Sequence, residues 1–219
     1  MSLVTAAVVV YGFSHTMGKN LIHPPEPRPT ILYFHAAIFF GWLAFFIFQS
    51  ALIRTHHVAW HRMTGWFGVA LGTTIPLLGA STAITMARFR IQQFHAKDAE
   101  SFLIVPLFDM VAFTVSFALA IYWRKKPEMH RRLILVATCA LTAAGFGRFP
   151  DQLRPNVFFY AGVDLLILFG VVRDLIVTGR VHRVYLLALP AFVVCQTIVT
   201  YTMLHELPYW VRFAHAILS

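Results

Sequence analysis

The chain has 219 residues, of which 58% are hydrophobic and only 12% are charged. A soluble domain carries about 25% charged residues, so this composition excludes an ordinary soluble protein and indicates a membrane protein. The net charge of +9 does not indicate nucleic-acid binding, because the lysines and arginines lie mainly in short turns between apolar segments. We therefore expect a lipid bilayer, and no nucleic acid, as the partner of its surface.

Apolar segments follow one another along the chain, separated by prolines and clusters of charge. A helix needs about 20 apolar residues to cross ~30 Å of hydrocarbon. The pattern predicts an all-α fold, a polytopic transmembrane bundle of seven helices that forms a single integral membrane domain over residues 1–219. The seven predicted spans cover residues 2–17, 31–53, 63–87, 101–123, 131–149, 156–176 and 183–204.

The basic residues predict the orientation of the bundle. The turn WRKKPEMHRR, residues 123–132, is short and strongly basic, and the other turns on its side add further arginines. Such turns stay in the cytoplasm, so the N-terminus is expected there and the C-terminus on the opposite side.

The last segment, residues 207–219, is too short to cross a bilayer. Arg212 and His215 fall on one helical stripe, opposite Trp210 and Phe213. This arrangement predicts a short C-terminal helix that lies in the membrane interface.

Polar side chains within the apolar segments form the first candidate site. The rise of about 1.5 Å per residue puts most of them at one depth on different helices, and lipid cannot satisfy them. We expect Arg148 to pair with Asp109 or Asp164. The site is either a buried ion pair that fixes helix register or a proton-linked, substrate or metal site. Its predicted members are His35, Gln49, Asp109, Arg148, Asp164 and Gln196.

Four histidines form the second candidate site. His15 and His35 lie near one membrane surface, whereas His61 and His130 begin predicted spans at the other. Paired imidazoles are competent axial ligands, so these four residues are candidate ligands for two b-type haems or for a metal. The alternative is that His61 and His130, each followed by arginine, are interfacial groups at helix starts.

The motifs FHAAIFFGWLAFFIFQSALI, HRMTGWFGVALG and RKKPEMHRRLILVAT, followed by GRFP, span residues 31–150. With them the chain resembles a family of uncharacterised small bacterial inner-membrane proteins. The histidines near helix ends are also distantly similar to those of cytochrome b561-like bundles. The resemblance implies a helical fold in a bacterial inner membrane, which would make the C-terminal side periplasmic.

Three functions are consistent with these patterns. Short loops and many phenylalanines, 21 in the chain, favour an accessory subunit or helper of a membrane energy-converting or redox assembly, with other membrane subunits as partners. The histidines favour a transmembrane electron carrier that binds haem b or a metal. The carboxyls favour a small proton-linked transporter, whose polar path would also need Ser116.

Overall fold

The computed structural model describes residues 1–153 and 159–219, and every regular element in these ranges is helical. The prediction of an all-helical chain is therefore confirmed for the described residues. The helices are α1 (Ser2–Ser14), α2 (Ile31–Arg54), α3 (Val58–Phe94), α4 (Ala99–Phe102), α5 (Ile104–Tyr122), α6 (Pro127–Ala140), α7 (Ala143–Phe146), α8 (Phe159–Thr178), α9 (Arg183–Leu204) and α10 (Pro208–Leu218), with a π-helical turn at Gly18–Ile22.

Four helical segments of the described residues are long and apolar enough to cross a membrane, which is compatible with an integral membrane protein. They are Ile31–Arg54, Val58–Phe94, Ala99–Tyr122 and Arg183–Leu204. The predicted number of seven spans is not confirmed.

Within residues 1–153 and 159–219, the three other predicted spans do not correspond to helices that are long and apolar enough to cross a membrane. α1 has 13 residues and α6 has 14, so each is about 20 Å long and shorter than the hydrocarbon. The predicted span 131–149 is divided after α6, where the hydroxyl of Thr142 donates to the carbonyl of Cys139 at 2.6 Å. α8 has 20 residues but contains three charged side chains. The predicted span 156–176 also begins outside the described residues.

The turns that follow α2, α5 and α8 lie on one side of the bundle, which we call the basic side. Arg124, after α5, lies with its guanidinium 5.8 Å from the ring of Trp66 near the start of α3. Arg132, near the start of α6, binds Asp174 near the end of α8. The structure thus brings these basic turns together, while their location in the cytoplasm stays a prediction.

The core lies between α2, α5, α6 and α8. Phe113, Val136, Val163 and Ile167 are completely buried there. Trp42 of α2 packs edge-on against Phe113 at 5.4 Å between ring centres. This apolar layer occupies the middle of the bundle, between polar groups on either side.

The C-terminal helix α10 packs against the opposite side of the bundle. The indole N–H of Trp210 donates to the carbonyl of Glu100 at 3.1 Å, and Arg88 of α3 donates to the carbonyl of Ile217 at 2.6 Å. Trp210 therefore faces the protein, while Phe213, predicted on the same stripe, is 54% exposed. The short helix itself is present, and its position in the membrane interface stays a prediction.

Candidate functional site

Two carboxyls meet polar partners across three helices on the opposite side from the basic turns. Tyr160 of α8 donates to Asp109 of α5 at 3.1 Å. One turn further along α8, Asp164 accepts two bonds of 3.0 Å from the amide of Gln196 on α9, with the nitrogen of that amide turned toward it. We call these four residues the carboxyl cluster. Tyr160 was missed in the sequence, although its spacing of four residues from Asp164 put both on one face.

Arg148 does not belong to the carboxyl cluster. It donates to the carbonyl of Ala144, and its guanidinium lies 4.3 Å from the ring centre of Phe13 on α1. In the described residues it forms no bond with Asp109 or Asp164. The expected ion pair assumed a helix through residue 149, but α7 ends at Phe146, so helical periodicity does not set the direction of this side chain.

His35, near the start of α2, has a buried Nδ1 that meets no hydrogen-bond partner among the described residues. Its ring packs against Phe39 at 4.0 Å. Phe39 in turn packs near Gly79 of α3, and Thr82, one turn beyond, has a buried hydroxyl that also lacks a partner. The helical register thus places two unsatisfied polar groups at one level.

The other end of the α2–α3 contact, on the basic side, has a similar arrangement. Gln49 donates through Nε2 to the hydroxyl of Thr64 at 2.7 Å, whereas its Oε1 is buried without a partner. His61 lies three residues before Thr64 and has a buried Nδ1 that likewise meets no partner in the part of the chain that the structure describes. Buried polar groups are normally satisfied, so unsatisfied ones mark places where a water or a ligand belongs.

The rings of His61 and His130 lie side by side at this level, 6.4 Å apart between centres and inclined by 72°. We call them the histidine pair. His130 bonds through Nδ1 to the carbonyl of Ala120 at 2.9 Å. A carbonyl can only accept, so Nδ1 carries a proton, and in the neutral ring Nε2 keeps its lone pair. A hydrogen bond of this kind usually orients a histidine that ligates a metal.

The second predicted pair of histidines does not show such a contact. The ring of His15 packs edge-on against Tyr11 at 4.8 Å, and the ring of His35 packs against Phe39. Within the described residues, no ring contact joins His15 to His35, and no three His, Cys, Asp or Glu side chains come together as a metal cage.

A buried ionic network on the basic side was not predicted from the sequence. Arg132 of α6 donates to both oxygens of Asp174 on α8, at 2.7 and 2.8 Å, and to the carboxylate of Glu128 at 2.6 Å. The exposed fractions of Arg132 and Asp174 are 3% and 1%. In the sequence Arg132 belongs to a basic turn, and Asp174 lies within the predicted span 156–176. Two features of the sequence could have indicated this network. Asp174 lies beside an apolar run, and Glu128 precedes Arg132 by four residues, which is about one helical turn.

Two groups at the edge of this network have pKa values below their ordinary range. The hydrogen bond from Arg132 lowers the pKa of Glu128. Burial lowers the pKa of His182, which lies just before α9, and the nearby Arg132 acts in the same direction. The Arg132 guanidinium therefore favours the ionised form of Glu128 and the neutral form of His182.

No protein-family model, curated protein or solved structure matches this chain. The family resemblance that the motifs indicate therefore stays a prediction.

Proposed function

We propose that this protein is a subunit or helper of a membrane redox assembly and that it contributes a centre held by His61 and His130. The observation that carries the proposal is the 6.4 Å separation between the two rings. A metal–nitrogen bond is about 2.0 Å and a ring centre lies roughly 1 Å behind its nitrogen, so imidazoles on opposite sides of one metal have centres about 6 Å apart. His61 and His130 would hold such a centre between their rings.

The number of ligands favours haem over a bare ion. A protein site for zinc normally has three or four side-chain ligands, whereas an axially ligated haem needs only two. The described residues offer two imidazoles at this level and no larger group of ligands. When bound, a b-type haem would supply a one-electron iron couple.

The chain's own groups would orient such a centre. The carbonyl of Ala120 holds His130 with Nε2 free. The unsatisfied Oε1 of Gln49, beside Thr64, is an acceptor near His61. Charge from the basic turns would favour the propionate groups of a haem, because cations and carboxylates attract each other strongly at a membrane surface.

The role as a subunit is supported by the exposure of α2. Only 11% of its apolar stretch is buried within this chain, although it carries the tightly packed Trp42 on its inner face. The rest of its surface is free for lipid or for the helices of a partner.

The test is to express the chain with a haem precursor, purify it in mild detergent and record its absorbance together with its haem content. We expect a Soret band that His61→Ala and His130→Ala each abolish. His56→Ala and His57→Ala are matched controls, since these exposed histidines precede His61 by five and four residues. A colourless wild type, or a band that survives both substitutions in the pair, would refute the haem centre.

The subunit role has a separate test. Purification from the native membrane should recover the chain with other integral subunits, which mass spectrometry would identify. Recovery of this chain alone, in detergent that preserves known assemblies of the same membrane, contradicts the role.

A second candidate function, proton-linked transport, is favoured by the carboxyl cluster. Asp109 is 8% exposed and its side chain contacts Tyr160 but no cation in the described residues. Carboxyls of this kind are typical of proton sites in membranes. Against transport, the buried layer around Phe113 and Val163 separates the cluster from the basic side, so a path would require these side chains to move.

Proteoliposomes containing a pH-sensitive dye would distinguish this function from the redox role. Asp109→Asn and Asp164→Asn should each abolish proton uptake, while Asp98→Asn, on an exposed loop, should not. Uptake that persists in both cluster variants excludes this function.

A further inference from the structure

A groove runs between α3 and α5 on the outside of the bundle. It has a volume of about 390 Å³ and extends from Val69 to Pro76 on α3 and from Thr114 to Ile121 on α5. Seven residues of helix correspond to about 10 Å, roughly a third of the hydrocarbon thickness. Both helices are candidate membrane spans, so the groove lies within the membrane.

The walls of the groove are apolar in practice. The two threonine hydroxyls that line it donate to carbonyls of their own helices, Thr73 to Val69 at 2.8 Å and Thr114 to Met110 at 2.6 Å. They therefore offer no free donor. The remaining walls are carbon surfaces, such as those of Phe117 and Ala118.

The basic-side end of the groove carries positive charge. Trp66 lies one turn before Val69, and Arg124 lies three residues after Ile121, with its guanidinium 5.8 Å from the indole ring. Lys125 follows directly. Trp66 is 66% exposed, as expected of a tryptophan at a membrane interface. The groove thus leads from the hydrocarbon to a cationic group at the surface.

We propose that this groove binds an anionic phospholipid, with one acyl chain between α3 and α5 and the phosphate at Arg124 and Lys125. The apolar walls of the groove match an acyl chain, and the cationic groups at its end match an anionic phosphate. The cationic end favours a lipid with an anionic head group over an adjacent apolar helix as the occupant. The site does not depend on the histidine pair or on haem.

The binding test uses the whole chain in nanodiscs of phosphatidylcholine containing phosphatidylglycerol, followed by native mass spectrometry of the retained lipid. We expect the wild type to retain phosphatidylglycerol in preference to phosphatidylcholine. Ala118→Phe fills the groove and should abolish retention of either lipid. Its control, Val115→Phe, adds the same ring on the same helix at a residue that is 54% exposed and does not line the groove.

The charge test uses Arg124→Gln, which should reduce the preference for the anionic lipid about fivefold, since one cation near an anionic surface contributes about 1 kcal/mol. Arg212→Gln, on α10 at the other side of the bundle, should leave the preference unchanged.

Thermal unfolding of each variant establishes that it is folded. Equal lipid retention by the Ala118→Phe and Val115→Phe variants would overturn the proposal. Equal retention of the two lipids by the wild type would also overturn it. So would a wild-type dimer that carries no bound lipid. Haem content is a separate readout, so failure here does not bear on the proposed redox centre.

Discussion

Arg132 of α6 and Asp174 of α8 form a two-pronged ion pair, with N–O distances of 2.7 and 2.8 Å, between side chains that are almost completely buried. The pair joins two helices through residues that lie 42 positions apart in the sequence. Removing one partner takes the principal counter-ion away from a buried charge, which is more costly than losing both.

Breaking this pair should strongly destabilise the bundle. We expect Arg132→Met or Asp174→Leu alone to lower the free energy of unfolding by about 3–5 kcal/mol, and the double substitution to recover most of the loss. Arg131→Met is the control, because Arg131 pairs with Glu128 at the surface, where such a pair contributes about 0–1 kcal/mol. Reversible unfolding in mixed micelles would measure all four variants. A double variant as unstable as the sum of the single ones would contradict the buried-charge explanation.

Stability should also depend on pH through Glu128. Its pKa is lower in the folded protein than the ordinary value of 4.5, because Arg132 donates to it. The unfolded chain therefore takes up this proton first, and stability falls as the pH drops below about 4.5. Glu128→Gln should remove that part of the acid dependence, whereas Glu26→Gln, in the loop before α2, should not. Unfolding midpoints measured between neutral and acid pH would show the difference, and parallel curves for the wild type and Glu128→Gln would exclude it.

The contact between α1 and α7 should tolerate no side chain at Gly12. A Cβ at this position would collide with the backbone carbonyl of Gly145. We expect Gly12→Val to reduce stability by about 1–3 kcal/mol relative to Gly41→Val, because the overpacked backbone must shift. Gly41 is a matched control, since it lies within α2 and has open space beside it. Thermal unfolding would compare them, and equal midpoints would mean that the contact between α1 and α7 does not contribute to stability.

A hydrogen bond in the central layer should couple α2 to α6. The indole N–H of Trp42 donates to the hydroxyl of Thr138 at 3.3 Å. A double-mutant cycle with Trp42→Phe and Thr138→Val should give a coupling energy of about 0.6–2 kcal/mol, as found for bonds between membrane helices. Unfolding free energies of the four proteins would provide it. A coupling energy of zero would mean that the bond makes no net contribution to stability.

The long apolar helices and the helical fold could be predicted because they depend on local sequence. Long apolar runs without charge favour helices in a membrane, since each backbone group then bonds within its own segment. The number of spans was less predictable. Hydropathy does not reveal that α1 is short. Nor does it reveal that the helix is interrupted near Thr142, whose hydroxyl donates a hydrogen bond to a backbone carbonyl.

The candidate sites were predictable only as residues that need a partner. Asp109, Asp164 and the histidines stood out because lipid cannot satisfy them. Their partners depend on the rotation of each helix about its axis and on how the helices pack. Tyr160 therefore became the donor to Asp109, and Arg148 turned toward α1.

The sequence by itself determined that this chain is helical and suited to a membrane, because charge and hydropathy act along each segment independently. Only the tertiary structure decided which polar groups meet: Arg132 with Asp174, and His61 with His130. The physical reason is the low dielectric of the interior. Every buried charge or polar group there needs a partner, but several arrangements can supply one, and the packing of the apolar surfaces selects among them.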